Sequence, residues 1–286
     1  MPIRIVQSKQ NARLKELRKA LAHPGRNERG LVGIEGPNLV AEAMRSGLRV
    51  DSVFLGENGA SVGFPQELAI QNLEESFPDV DVLLVEDDAL KSVLNTESPQ
   101  LCAALAEPPD WTWAHVLRSK KDAAALVLVL AGIQDPGNLG TMIRSAEAFG
   151  ADGIICLPGT VNVWNPKAVR ASAGSVFRVP VLNAGEHETL TELREAGIRL
   201  LTTTVQGAQP ADIADLADPV AVLIGNEGSG VPADLAMKAD GAVTIPCPGP
   251  VESLNAAVAA SVLLYEAARQ RAVKTGDRPR LRGGSR

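Results

Sequence analysis

Five short runs, at 126–130, 153–157, 198–202, 220–224 and 242–245, are mainly apolar, interrupted only by Arg199, Thr202 and Thr244. A strand with one face in water alternates polar and apolar residues. A run that is apolar throughout suits a parallel strand buried on both faces. Helical patterns at 139–149, 188–196 and 253–271 separate most of these runs. That alternation specifies an α/β domain: a parallel sheet with helices on its faces. Such sheets gather ligands beyond the carboxyl ends of their strands, and the least ordinary sequences of this chain fall there.

The first hundred residues alternate helix and strand on a smaller scale. Ser8 is placed to cap a helix over 9–21, with Leu14, Leu17 and Leu21 at helical spacing. A strand follows at 31–35. Pro37 then starts a helix through Val40, Ala43 and Met44, which Gly47 ends. Strands at 50–55, 80–85 and 101–106 alternate with helices at 64–77 and 87–94. This is a compact α/β domain over 1–106. Residues 107–123 break the rhythm with Pro108-Pro109 and a polar run at 118–122, and read as a linker; Trp111 and Trp113 are expected to pack against a neighbouring surface. The second domain runs over 124–272, and 273–286 reads as a basic, disordered tail.

Aromatics are only 3% of the chain, so both cores must be aliphatic. Cys102, Cys156 and Cys247 are far apart and form neither a disulfide frame nor a zinc pattern. His23, His115 and His187 are scattered and match no triad or metal spacing. The N-terminus lacks an apolar export core, and the longest apolar run, 123–133, is too short to cross a bilayer. A cytoplasmic protein with no metal and no membrane partner is expected.

The net charge of −6 conceals an asymmetry. Residues 1–29 carry eight Lys and Arg against Glu16 and Glu28; residues 266–286 carry seven against Glu266 and Asp277. Basic ends on an acidic body point to a polyanionic partner.

Three stretches carry the chemistry. In Gln134-Asp135-Pro136-Gly137-Asn138-Leu139-Gly140 a strand has ended, Pro136-Gly137 turns the chain, and Asn138 is read as a helix cap. Arg144 lies on a different face from the inward Ile143, Ala146 and Phe149, and its guanidinium fork suits phosphate. In Gly225-Asn226-Glu227-Gly228-Ser229-Gly230 three glycines follow a buried strand, allowing a tight turn or close approach of backbone to a ligand. No Lys-Ser/Thr follows and no Gly-x-Gly-x-x-Gly opens the domain, so triphosphate-loop and dinucleotide readings are weak. In Ile245-Pro246-Cys247-Pro248-Gly249-Pro250-Val251-Glu252-Ser253-Leu254-Asn255 a strand stops at Pro246. A rigid loop then leads into an alanine-rich helix, with Ser253 at the expected N-cap. That helix carries Leu254, Val258, Val262 and Tyr265 on one stripe, open to core packing or to a subunit interface.

Taken in order, Asn138-Leu139-Gly140 with Arg144, Gly225-Asn226-Glu227-Gly228 with Gly230, and Ile245-Pro246 with Ser253-Leu254-Asn255 closely resemble the motifs of the SpoU (TrmH-like) RNA 2′-O-ribose methyltransferases. Arg170-Ala171-Ser172-Ala173-Gly174 also fits that family. Residues 1–106, including Ile34-Glu35-Gly36-Pro37-Asn38-Leu39-Val40, resemble the ribosomal-protein-like RNA-binding domain fused to many members. Cys247 stands where methionine is usual and Met142 where isoleucine is common, both apolar exchanges.

The resemblance implies a deep trefoil knot in the second domain, a homodimer, and S-adenosylmethionine as cofactor. It places Thr203, Gly225, Asn226, Ile245 and Leu254 at the cofactor, and Arg144, Asn138, Glu227, Ser253 and Asn255 at the reaction. Arg144 is expected to bind a neighbouring phosphate and polarise the nucleophile, since a guanidinium is a poor base. The extra domain points to ribosomal RNA, most of all 23S. A transfer-RNA ribose methyltransferase and a non-catalytic RNA-binding or assembly factor that keeps the fold are the alternatives.

Overall fold

The computed structural model describes residues 4–276 apart from 7, 9, 59–62, 118–123, 206 and 252. Lys9, the polar run 118–122 and the tail beyond Gly276 lie outside the described residues. Contacts divide the chain into two compact units, Met1–Asp110 with Asn162–Arg178, and Trp111–Val161 with Val179–Arg286.

The first unit contains β1 (Arg4–Val6), α1 (Ala12–Ala22), β2 (Val32–Glu35), α2 (Pro37–Arg45), β3 (Val50–Gly56), α3 (Ile70–Ser76), β4 (Asp81–Val85), α4 (Asp87–Lys91) and β5 (Cys102–Ala106). The strands form one sheet in the order β1-β4-β3-β5-β2, with β5 antiparallel to both its neighbours. The edge strand β1 has no counterpart in the sequence reading, being only three residues long. The α1 cap is Asn11 rather than Ser8: its side chain accepts the N–H of Arg13 at 2.8 Å. Leu14, Leu17 and Leu21 do face the core, against Phe54, Leu83 and Leu105. The buried Glu35 carboxylate is compensated by the N–H groups of Asn95 (2.9 Å) and Thr96 (3.0 Å) and the Thr96 hydroxyl (2.6 Å).

Much of the N-terminal positive charge is spent inside this unit. Arg13 pairs with Glu16 and Asp51, Arg29 with the same two carboxylates, Arg4 with Asp81, and Arg26 with Asp110. Burial alone would raise the Asp51 carboxyl, but the guanidinium groups of Arg13 and Arg29 outweigh it and hold it below the usual range. Lys15, Arg18 and Lys19 stay exposed on α1, and no carboxylate pairs with them among the described residues.

The second unit contains α5 (Trp113–Val116), β6 (Leu126–Ala131), α6 (Pro136–Ala148) and β7 (Gly153–Cys156). The next helix, α7 (Pro166–Ser172), falls within the 124–272 span that the sequence assigns to the second domain, but belongs by its contacts to the first unit. There Arg178 donates to Glu42 and to the Ser46 hydroxyl, and Gly174 (φ 88°) leaves no room for a side chain: a Cβ would lie 2.3 Å from Glu42 Cγ. The second unit continues with β8 (Val181–Asn183), α8 (Glu186–Glu195), β9 (Arg199–Thr203), β10 (Gln209–Pro210), β11 (Val220–Gly225), α9 (Ala233–Ala236), β12 (Gly241–Thr244) and α10 (Ala256–Thr275).

Its sheet is parallel throughout, in the order β10-β12-β9-β11-β6-β7-β8. Every residue of β6 and β11 is buried, as their aliphatic runs require. The expected five strands are all present; β8 and β10, of three and two residues, are too short to leave a pattern. Trp111 meets the His115 ring edge-on at 5.4 Å, and Trp113 packs on the core of this unit and donates to Glu188 at 2.9 Å.

Helix α10 lies along α6, joined by Ser145 and Ser261 hydroxyls 2.7 Å apart and an edge contact of Phe149 with Tyr265. Its inward residues are Ala256, Ala257, Ala260, Leu263, Leu264 and Ala267; Val258, Val262 and Tyr265 of the expected stripe are exposed. Near its end Arg271 donates to the carbonyls of Ala124, Ala125, Leu216 and Asp218, and Gln270 ties down the 211–216 segment. The end of α10 is thereby fastened to the amino edge of the sheet.

Candidate functional site

The loops after β6, β11 and β12 leave the carboxyl edge of the second unit's sheet, where β9, β11 and β6 are neighbours. The loop after β11 is closed by backbone. Asn226 and Gly230 exchange N–H···O bonds of 3.0 and 2.9 Å. The closure explains Gly225, since a Cβ there would fall 2.1 Å from Gly230 C and Val231 N. Both ends of the Asn226 amide are engaged within the protein. Its Nδ2 donates to the Gly132 carbonyl at 2.8 Å, and its Oδ1 accepts the N–H groups of Gly228 (2.8 Å) and Ser229 (3.2 Å). Asn226 therefore ties the β11 loop to the end of β6, where Gly132 (φ 71°) turns the chain.

Two caps differ from the sequence reading. Asp135, not Asn138, caps α6, accepting the Asn138 N–H at 2.8 Å with Pro136 at the first helical position. Asn255, not Ser253, caps α10, its Oδ1 accepting from Ala257 N (2.9 Å) and Val258 N (3.3 Å). Both shifts matter. Freed from capping, the Asn138 amide donates through Nδ2 to Glu227 Oε1 at 2.8 Å, and its Oδ1 accepts from Asn255 Nδ2 at 3.1 Å. One hydrogen-bonded chain thus joins the β11 loop, the start of α6 and the start of α10.

Glu227 anchors this chain. Burial would raise its carboxyl, but the Asn138 amide and the backbone N–H groups of Glu227, Gln134 and Asp135 more than offset that and hold it below the usual carboxylate range. Gln134 and Asp135 act through backbone, so no side-chain pattern could have pointed to them. The Thr203 hydroxyl at the end of β9 donates to the Leu223 carbonyl at 2.9 Å.

Ile245 and Leu254 are half-buried at either end of the proline loop, and Ser253 is exposed. The N–H groups of Val251, Ser253 and Leu254 have no intramolecular partner among the described residues. Arg144 is exposed on α6, likewise without a partner among the described residues. The structure thus joins Asn138, Glu227 and Asn255 directly, sets Gly225 and Asn226 beside them, and leaves Arg144 and Ser253 exposed with no hydrogen bond to that set. Open backbone donors on a loop fit a ligand recognised through its hydrogen-bonding edges, as an adenosine group is.

A parallel α/β sheet with three tied loops at its carboxyl edge, and with backbone donors and an arginine that lack partners among the described residues, defines a ligand-binding protein of the α/β class. The SpoU rRNA Methylase family matches residues 125–265, and the MRM3-like substrate binding domain matches 11–104. The chain is 32% identical to the 23S rRNA (guanosine(2553)-2′-O)-methyltransferase RlmP of Bacillus subtilis, over 91% of this chain and 97% of that protein. In three dimensions it resembles the AdoMet-bound rRNA methyltransferase from Sinorhizobium meliloti, with TM-score 0.79 and 28% identity over 94% of this chain and 98% of that one. It also resembles the SpoU methyltransferase AviRb from Streptomyces viridochromogenes in complex with AdoMet, with TM-score 0.76 and 28% identity over 94% and 100%. The chain belongs to the SpoU methyltransferase family.

Proposed function

We propose that this protein transfers the methyl group of S-adenosylmethionine to a ribose 2′-hydroxyl of 23S ribosomal RNA. The observation that carries the reading is the joining of three carboxyl-edge loops through Glu227, Asn138 and Asn255, beside the open N–H groups of Ser253 and Leu254. The S. meliloti and AviRb structures were solved with AdoMet, and the B. subtilis relative is named for 23S rRNA 2′-O-methylation.

The cofactor supplies a methyl carbon on a sulfonium leaving group. When bound, it would donate that methyl to the ribose 2′-oxygen, with the sulfide as leaving group and the hydroxyl proton passing to solvent. The protein's task is alignment, which supplies about 7–11 kcal/mol in the best intramolecular cases. Gly225, Ile245 and Leu254 would hold the cofactor through their backbone groups, with Thr203 and Asn226 nearby. Arg144 holds a phosphate of the target strand and polarises the ribose hydroxyl, with Ser253 as a further polar group at the reaction.

The domain over 1–106 grips RNA, with Lys15, Arg18 and Lys19 of α1 available to phosphates. A 2′-hydroxyl acceptor selects RNA over DNA. The exposed Val258, Val262 and Tyr265 on α10 give a surface for a homodimer. The trefoil knot of the family belongs to the 124–272 domain, and the protein works in the cytoplasm.

The test is transfer of radiolabelled methyl to unmodified 23S, 16S and transfer RNA transcripts, followed by mapping of the modified ribose. Label in 23S is expected. Label in transfer RNA alone would reassign the substrate, and cofactor binding without label in any RNA would favour a non-catalytic assembly role. Arg144→Ala is expected to abolish transfer while cofactor binding survives; full turnover in that variant refutes its role.

A further inference from the structure

Asn138 stands between two partners of fixed polarity. Glu227 is an anion and can only accept, so the Asn138 edge that faces it must be Nδ2. Asn138 Oδ1 is then turned to Asn255, which must present Nδ2, because Asn255 Oδ1 is occupied by the N–H groups of Ala257 and Val258. The hydrogen bonds along the chain can form in one orientation of the two amides only. Its two ends rest on backbone: Gln134 and Asp135 at Glu227, and the first turn of α10 at Asn255.

The three elements so joined carry different parts of the proposed reaction. Helix α6 bears Arg144, the end of β11 and the loop after it bear Gly225 and Asn226, and the segment entering α10 bears Ser253 and Leu254. A carboxylate that already accepts several N–H bonds is a poor proton acceptor, and an amide has no proton to give at neutral pH. We infer that Glu227, Asn138 and Asn255 form a positioning bridge that sets the helix of Arg144 against the cofactor loops, and that none of the three exchanges a proton with the ribose. This rests on the methyltransferase reading above, and it makes them positioning residues where the family resemblance implied a place at the reaction itself.

A charge transposition tests it. Asn138→Asp puts two carboxylates face to face, and Glu227→Gln puts an amide donor opposite a donor or turns its own oxygen away from the backbone. Combined, N138D/E227Q restores complementarity. The new amide nitrogen at position 227 donates to the new carboxylate at position 138, while the amide oxygen takes the Gln134 and Asp135 N–H groups. The second oxygen of the new carboxylate accepts from Asn255. Misalignment by an ångström costs about 100-fold in rate, so each single variant should lose about 100-fold in kcat, and the double variant should return to within about tenfold of wild type. KM for the RNA should change far less than kcat.

If Glu227 itself took the proton, N138D/E227Q would stay as inactive as Glu227→Gln, and the bridge would be overturned. Thermal unfolding of each variant guards against loss of fold. Should the transposed protein not fold, Asn138→Ala and Glu227→Gln give a second reading. Within one bridge their combination is no slower than the worse single variant, whereas independent roles multiply. A wild-type protein that neither bound S-adenosylmethionine in calorimetry nor methylated 23S transcript would instead overturn the underlying function. An active wild type without rescue overturns the bridge alone.

Discussion

Replacing Gly225 by alanine tests whether the loop geometry at the end of β11 is required. The added Cβ would lie 2.1 Å from Gly230 C and Val231 N, and ordinary contact begins near 3.4 Å, so backbone must move by about 1.3 Å. Both neighbours are main chain, so no rotamer change relieves the clash. Overpacking of this kind costs about 1–3 kcal/mol, and loss of the two Asn226–Gly230 bonds adds about 1 kcal/mol each. At about 2–4 °C per kcal/mol for a unit of this size, the combined loss of about 3–5 kcal/mol lowers the melting temperature by about 6–20 °C. The same movement displaces Asn226 and Glu227, which hold Gly132 and Asn138. Affinity for S-adenosylmethionine should therefore fall by more than the stability loss explains. Gly228→Ala is the control: its Cβ would meet only Asn226 Oδ1, at 3.5 Å. Calorimetric titration of both variants with S-adenosylmethionine, at a temperature where both are folded, reads the difference. Wild-type affinity and melting in Gly225→Ala, or equal losses in the two variants, would refute the reasoning.

Three further outcomes follow from the structure. Arg271→Met removes donors from four carbonyls at the amino edge of the sheet, and should destabilise the second unit by about 2–4 kcal/mol in urea titration, hydrogen bonds to charged groups being worth more than neutral ones. Because the folded Asp51 carboxyl is held low, its contribution is complete above the ordinary carboxylate range and is lost as pH falls through the folded value. Asp51→Asn should lower the melting temperature at neutral pH and flatten its decline below about pH 4. Burial pushes the Cys156 thiol up to about 12 and raises Cys102 further still, while Cys247 is exposed, so brief iodoacetamide treatment of the native protein should add one label, at Cys247, by mass spectrometry.

The long central strands were legible because burial on both faces demands aliphatic residues at every position, as in β6 and β11. Short edge strands, β1, β8 and β10, left no such record. The three motif stretches were legible as loops at strand ends, yet the role of single residues within them was not. Asn138 and Ser253 read as caps because both types cap helices well, but Asp135 and Asn255 hold those positions. That displacement leaves the Asn138 amide free to join Glu227. The positive charge of 1–29 read as one nucleic-acid arm, but its pairing with Asp51, Asp81 and Asp110 depends on strands and turns far along the chain.

What the linear chain determined by itself is which segments must be buried and where backbone must bend, because hydrophobicity and the special dihedrals of Gly and Pro are local properties. Tertiary structure alone decided which polar groups meet. Glu227 lies 89 positions from Asn138, and Asn255 lies 117. A hydrogen bond is specified by a few tenths of an ångström that no local pattern encodes. The candidate site is therefore written in the sequence as three separate loops, and becomes one site only when the parallel sheet sets their ends side by side.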